Sequence, residues 1–303
     1  MSATHKTAVI FGDWGNSSGR LHLCGPDGQV IDSVKLVGAK DTNSHEAAFL
    51  AATEKWRGNY DIRSALICGA IGSNIGWHEV GYIALPADHS EMVSKAKTFE
   101  VGLMAVTLLG GVKIEHNIID LPDTLRGEET QSFGWMALTE LSDGLLCLPG
   151  THTKWVLIKD RKIWQLNTGL SGELFEIVSR HSMLTRGAEM FDAPNDAFAE
   201  GVDVTRRDAP PALIQTLMSV RNKQLFGQME TVMANSYLAG LIIGEDVRES
   251  VKLFKADHVH IIGSSVTASH YEKALRMNGV ETTRHDDQAC TLKGLALIAE
   301  RQG

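Results

Sequence analysis

Short apolar runs separated by glycine-rich turns open the chain, and the same order returns near its middle. Residues 7–11 and 21–24 are apolar and flank Gly12-Asp13-Trp14-Gly15-Asn16-Ser17-Ser18-Gly19-Arg20, which predicts a β-hairpin. Residues 30–37 follow the turn Gly25-Pro26-Asp27-Gly28 and predict a third antiparallel strand. Between 45 and 56, Ala48, Phe49, Ala52 and Trp56 recur at helical spacing behind Asn43 and Ser44, residue types that cap helix N-termini. The apolar run 65–68 predicts a buried strand that ends at Gly69-Ala70-Ile71-Gly72-Ser73-Asn74. Residues 75–87 lack a period and mix Trp77, His78, Glu79, Tyr82 and Pro86, which suits a loop over a polar ligand. A strand is expected over 113–121 and a helix over 130–141, with Phe133, Trp135, Met136 and Leu138 as its apolar bulk.

From Gly144 the opening pattern restarts. Residues 145–148 predict a strand, Pro149-Gly150-Thr151-His152-Thr153-Lys154 a turn, 155–158 the return strand, and 163–168 a third strand after Asp160-Arg161-Lys162. Helices are expected over 171–181 and 230–248, and the polar segment 195–208 reads as an inserted loop and helix. The close alternates strand 258–262, helix 267–277, strand 280–283 and helix 288–300. The fold class is α/β, with a domain boundary near residue 142 that divides the chain into 1–142 and 143–303.

The length of 303 residues suits two domains. With 43% apolar and 22% charged residues the chain is an ordinary globular protein, and its net charge of −8 argues against nucleic-acid or membrane partners, which favour basic surfaces. Cys24, Cys68, Cys147 and Cys290 are far apart and form no Cys-x-x-Cys pair, so reduced thiols are expected rather than zinc. The polar start runs into a strand with no secretory apolar region, and no apolar run is long enough to cross a bilayer. The expected compartment is the cytoplasm.

The two hairpins carry the candidate chemistry. Small residues at a tip let backbone N–H groups face an anion, Ser17 and Ser18 add hydroxyl donors, and Asp13 can hold the hydrated magnesium that accompanies a nucleotide. Ordinary turns use the same residue types. Recurrence of the device at Gly150 to Thr153 favours a pair of phosphate loops facing one nucleotide. Phosphoryl transfer to a hydroxyl also needs a carboxylate to receive the proton, and Asp13, Glu128 and Glu129 are the candidates.

This duplicated order resembles the actin, sugar kinase and Hsp70 superfamily. Within it, Asp13-Trp14-Gly15, Ile71-Gly72-Ser73-Asn74-Ile75-Gly76-Trp77, Arg126-Gly127-Glu128-Glu129-Thr130-Gln131, Leu148 to Trp155, Thr168 to Phe175 and Arg180-His181-Ser182 resemble the 2-dehydro-3-deoxygalactonokinase family over nearly the whole chain. The resemblance implies a two-domain actin-like ATPase (ribonuclease H-like) fold, with a duplicated mixed β-sheet flanked by helices and ATP in the interdomain cleft. It also implies phosphorylation of the 6-hydroxyl of 2-dehydro-3-deoxy-D-galactonate by ATP and Mg2+, in galactonate breakdown.

On that basis Asp13 is the metal residue. Gly15, Asn16, Ser17, Ser18 and Arg20 of the first hairpin, with Gly150, Thr151, His152, Thr153 and Lys154 of the second, are nucleotide contacts. Gly263 and Ser264 form the adenosine loop. Ser73, Trp77, Tyr82, Arg126, Glu129 and Gly172 are substrate contacts. Glu128 is assigned as the base, since Gly127-Glu128 stands where related glycerol and xylulose kinases carry a Gly-Asp pair; Glu129 is its rival, and both also suit a helix N-terminus. Arg126 suits a substrate carboxylate or an ion pair with either acid, Trp77 suits a loop anchor equally, and His152, Glu173 and His181 fit structural roles. The alternatives are a kinase of another sugar or 2-keto-3-deoxy sugar acid, and a non-catalytic nucleotide-dependent sugar sensor. Expected partners are the sugar acid and ATP, with a homodimer as a further assembly.

Overall fold

The computed structural model describes residues 6–263 and 265–301. Strands β1 (Lys6–Trp14), β2 (Ser18–Cys24) and β3 (Val30–Val37) pair antiparallel, with Asp13 opposite Arg20 beside the first turn. Helix α1 (His45–Arg57) starts where Ser44 Oγ accepts the Ala47 N–H at 3.3 Å, and it crosses to β4 (Tyr60–Cys68), parallel to β1. Strand β5 (Tyr82–Ala84) follows, and then β6 (Lys97–Val101) and β7 (Met104–Leu108) form a hairpin turning at Gly102, φ 65°. That hairpin extends the first sheet to the order β3-β2-β1-β4-β7-β6.

Strands β8 (Gly111–Ile114) and β9 (Asp123–Leu125) join β5 in a small sheet of order β5-β8-β9. The strand expected over 113–121 therefore stops early. Asn117 Oδ1 accepts the N–H groups of Ile119 and Leu121 at 3.0 and 3.1 Å, and Asp120 has φ 61°, so local turn bonds replace a ladder.

Helix α2 (Glu128–Thr139) leads into β10 (Gly144–Leu148), β11 (Thr153–Lys159) and β12 (Lys162–Gly169), again antiparallel. Helices α3 (Ser171–His181), α4 (Asp196–Thr205), α5 (Leu213–Thr216), α6 (Met218–Leu225) and α7 (Ala234–Phe254) follow. The segment expected to be polar loop and helix is anchored, because α4 buries Phe198 and Val202 against α7. The chain closes with β13 (His258–Ile262), α8 (Ser265–Met277), β14 (Glu281–His285) and α9 (Asp287–Ala299), and the second sheet has the order β12-β11-β10-β13-β14.

One core cluster joins the two sheets. Phe133 and Met136 of α2 and Cys290, Leu295 and Ile298 of α9 are buried together with Phe11 and Leu66 of the first sheet and Leu146 and Ile262 of the second. The crossing of α2 and α9 requires glycine: a methyl on Gly134 would overlap the Cys290 carbonyl, and one on Gly294 would overlap that of Thr130. Helix α9 thus packs back on β1 and β4, although it follows the second sheet in the chain.

Candidate active site

The carboxyl ends of the parallel strands β1 and β4 meet the turn before α2, and opposite them stand the β10–β11 hairpin and the end of β13. Between them lies a cleft of about 500 Å³, the place where open α/β sheets present ligands. Its first wall carries Asp13, Gly15, Asn16, Ser17, Ser18, Gly69, Ala70, Arg126, Gly127, Glu128 and Gln131. The facing wall carries Leu148, Pro149, Gly150, Thr151, His152, Ile262, Gly263 and Thr267, and Asp287 of α9 completes the lining.

Two glycines hold Asp13 in place. Gly69 has φ 96°, and a methyl there would stand 2.8 Å from the Trp14 carbonyl and 2.9 Å from Asp13 Oδ1. Gly127 has φ 113° and lies directly against Gly69. Only glycine combines that backbone with such close approach. Burial, then the charges of Glu128 and Asp287, push the Asp13 carboxyl up to about 6, against a smaller opposing pull from Arg20. The cleft thus gathers three carboxylates, Asp13, Glu128 and Asp287.

Of the expected residues, Asp13, Gly15, Asn16, Ser17, Ser18, Arg126, Glu128, Gly150, Thr151, His152 and Gly263 line this cleft. Ser264 lies outside the described residues. Arg20 lines an adjoining chamber of about 360 Å³ that shares Asp13, Gly15, Ser18, Gln131 and Asp287 with the cleft, and its Nη1 donates to Gln288 Oε1 at 2.8 Å.

Several expected contacts face elsewhere. Thr153 and Lys154 already belong to β11, whose side chains alternate between faces. Thr153 is fully buried against Tyr271, with 2.7 Å between their hydroxyl oxygens. Lys154 Nζ donates to the Thr124 carbonyl and to Thr168 Oγ1, each at 3.0 Å, and Lys154 is not part of the cleft lining. Gly172 is packed behind the second hairpin, where a methyl would overlap the Gly150 carbonyl. Trp77 packs among aromatic rings, edge-on to Phe99 at 4.9 Å and tilted to Phe49 at 5.5 Å between centroids, and anchors its loop. Glu129 is fully buried and directs both oxygens at the Gly127 N–H, 2.8 and 3.0 Å away.

Arg126 pairs with neither acid through its guanidinium. Its Nη1 donates to the Gly72 carbonyl at 2.8 Å, Nη2 to the Val80 carbonyl at 2.9 Å, and Nε to Tyr82 Oη at 3.2 Å, with the guanidinium 4.2 Å above the Tyr82 ring. These bonds use three of its five N–H donors and stitch the loop carrying Ser73 and Tyr82 to the turn before α2. Ser73 Oγ is buried without a hydrogen-bond partner. Sequence reasoning missed Asp287 and Gln131 as cleft residues. Asp286 and Asp287 precede a periodic apolar segment, which reads as a helix start; Asp286 is indeed the cap, accepting the Ala289 N–H at 2.7 Å, and leaves Asp287 for the cleft.

Two hairpin-bearing sheets around a polar cleft define the class: the fold is that of the actin-like ATPases and sugar kinases. The activator of 2-hydroxyisocaproyl-CoA dehydratase from Clostridium difficile, solved with ADPNP, shares this fold at a TM-score of 0.53 and 10% identity, over 98% of this chain and 96% of its own. The chain belongs to the 2-keto-3-deoxy-galactonokinase family, whose model matches residues 13–298. It is 32% identical over 302 residues, 95% of each chain, to the Rhizobium meliloti protein named "Probable 2-dehydro-3-deoxygalactonokinase DgoK1". It is 29% identical to the 2-dehydro-3-deoxygalactonokinase of Escherichia coli K12, over 95% of this chain and 96% of that one. A crystal structure from Sinorhizobium meliloti, provisionally named for the same activity, matches at a TM-score of 0.84 and 30% identity, over 97% of this chain and 98% of its own.

Proposed function

We propose that the chain is a carbohydrate kinase that transfers the γ-phosphoryl group of ATP to the 6-hydroxyl of 2-dehydro-3-deoxy-D-galactonate, a step in galactonate breakdown. Family membership supports the substrate. The observation that carries the mechanism is the placement of Glu128 beside Asp13 on one wall of the cleft, facing the second hairpin.

Glu128 is the base in this reading. Its Oε2 accepts the Arg126 backbone N–H at 3.0 Å, which orients the carboxylate and leaves acceptor capacity for a substrate hydroxyl. As the acceptor oxygen bonds to the γ-phosphorus, the bond to the ADP oxygen breaks, its electron pair leaves with ADP, and the hydroxyl proton passes to Glu128. Backbone N–H groups and hydroxyls of Gly15 to Ser18 and of Gly150 to His152 cradle the phosphates, while Gly263 lets the purine approach the β13 end. Two N–H groups of Arg126 remain for the substrate carboxylate.

Asp13 and Asp287 suit a hydrated magnesium ion. Burial, then the charges of Glu128 and Asp287, raise the Asp13 carboxyl, and an added cation would relieve it. Magnesium keeps several waters and binds through one or two carboxylates plus nucleotide phosphates, a set to which Asp13 and Asp287 of the cleft lining can contribute. Magnesium would neutralise charge on the transferring phosphoryl group.

The division near residue 142 separates the strands of the two large sheets, and we read these as two lobes braced by the crossing helices α2 and α9. Lobe closure would exclude water from the γ-phosphate. No helix among the described residues is long and apolar enough to cross a membrane, and the buried free thiols Cys24, Cys68, Cys147 and Cys290 suit the cytoplasm. ADP release measured with a panel of sugar acids tests the function. Release with 2-dehydro-3-deoxygalactonate alone supports it, preference for another acid reassigns the substrate, and no turnover with any acceptor rejects the kinase.

A further inference from the structure

Helix α3 touches the second phosphate loop residue by residue. Gly172 lies so close that a methyl would overlap the Gly150 carbonyl. The Glu173 N–H donates to the Thr151 carbonyl at 2.8 Å, and Glu173 Oε2 lies 2.5 Å from His152 Nε2. Ser171 Oγ is 3.0 Å from Thr153 Oγ1. The loop therefore takes its shape from the first turn of α3.

What fixes that turn is not an ordinary cap, because the N-cap residue Leu170 makes no side-chain cap bond. Ser171 Oγ instead donates to Asp246 Oδ2 at 2.8 Å. Asp246 also accepts from Tyr271 Oη at 2.6 Å, Trp155 Nε1 at 2.9 Å and Ser250 Oγ at 3.4 Å. Among the described residues no lysine or arginine forms a salt bridge with it. A buried carboxylate without a counter-ion is expensive, and burial raises its carboxyl against the pull of these donors.

The hydrogen count is specific. Ser171 and Tyr271 each spend their single O–H on Asp246, which leaves Thr153 as the donor toward Tyr271 or Ser171. One carboxylate thus sets the hydroxyls of β11, α3 and α8 together. Gly169 completes the fit, since a methyl there would stand 2.8 Å from Asp246 Oδ1.

We propose that Asp246 is a positioning residue for the nucleotide: through Ser171 and Tyr271 it locks α3 as the template of the loop Gly150-Thr151-His152-Thr153. This rests on the reading of that loop as an ATP phosphate loop. It is tested by calorimetric titration of Mg·ADP without acceptor, and of the sugar acid without nucleotide, on Asp246→Asn, Tyr271→Phe, Thr153→Val and Thr153→Ser. Asp246→Asn places an amide N–H where only acceptors fit.

The expected result is that Asp246→Asn and Thr153→Val weaken Mg·ADP by about tenfold or more, while Thr153→Ser stays within about threefold of the parent and sugar-acid affinity is unchanged. A purely structural role would lower the melting temperature and leave both affinities alone, and that result overturns the proposal. Equal loss of both ligands also overturns it. Should Asp246→Asn not fold, Tyr271→Phe and the Thr153 pair carry the same test. A parent protein that does not bind Mg·ADP overturns the nucleotide reading itself, and this role with it.

Discussion

The backbone N–H of Gly127 donates to both carboxylate oxygens of Glu129, at 3.0 and 2.8 Å, and that bond turns Glu129 inward while its neighbour Glu128 faces the cleft. Two adjacent acids on one helix turn thereby meet different surroundings, one buried and one in the cleft lining. Glu128→Gln is expected to lower kcat by about 10²–10⁴-fold, the usual share of a general base, with Mg·ADP affinity within about twofold. Glu129→Gln keeps most of the turnover. Steady-state kinetics on both variants checks the assignment, and it is reversed if only the Glu129 change abolishes turnover.

Lys154 gives a prediction of the opposite kind. Its ammonium bridges the Thr124 carbonyl of β9 and Thr168 of β12, and Thr168 Oγ1 donates in turn to Asp123 Oδ1 at 2.7 Å. Lys154→Met leaves those acceptors unpaired in a nearly dry site, at a cost of roughly 1–3 kcal/mol. A lower denaturation midpoint with unchanged Mg·ADP affinity is expected. Selective loss of nucleotide binding would instead return Lys154 to the phosphates.

Asp287 should act on the nucleotide through Asp13. Burial and the charge of Glu128 raise the Asp13 carboxyl to about 6 together with the charge of Asp287, so Asp287→Asn lowers that value and ionises Asp13 at more acid pH. Mg·ADP binding to the variant should then persist to lower pH than in the parent, with a higher magnesium requirement at neutral pH. Calorimetric titrations between pH 5 and 8 would reveal both effects, and superimposable profiles would remove Asp287 from the metal.

Much of this was legible in the chain. The two hairpins, the helix before the second one and the closing strand-helix repeat follow from apolar period and glycine placement, and Asp13, Glu128 and Gly150 to His152 fall in the cleft as their motifs imply. What escaped depends on side-chain direction and distant packing. Thr153 and Lys154 sit next to His152 in sequence, yet strand alternation sends them to two buried networks. Asp287 is 274 residues from Asp13, and only the return of α9 onto the first sheet brings it there.

Glu129 also makes stability depend on pH. Burial, then the nearby Glu128 charge, raise its carboxyl from 4.5 to about 7, so the folded state holds a proton that the unfolded chain has released. The sign follows from linkage: this contribution is complete below the unfolded value of 4.5 and is lost as pH rises through about 7. Asp13 adds a smaller change of the same sign between 3.8 and about 6. The ligand-free protein should therefore lose on the order of 1–3 kcal/mol of stability between pH 4.5 and 8 from Glu129. Glu129→Gln, which stays neutral, should flatten that slope and melt higher than the parent at pH 8, although its amide accepts the Gly127 N–H through only one oxygen. Calorimetric melts of both proteins at pH 5, 6, 7 and 8 test this, and parallel pH dependences would mean that Glu129 is ionised throughout the range.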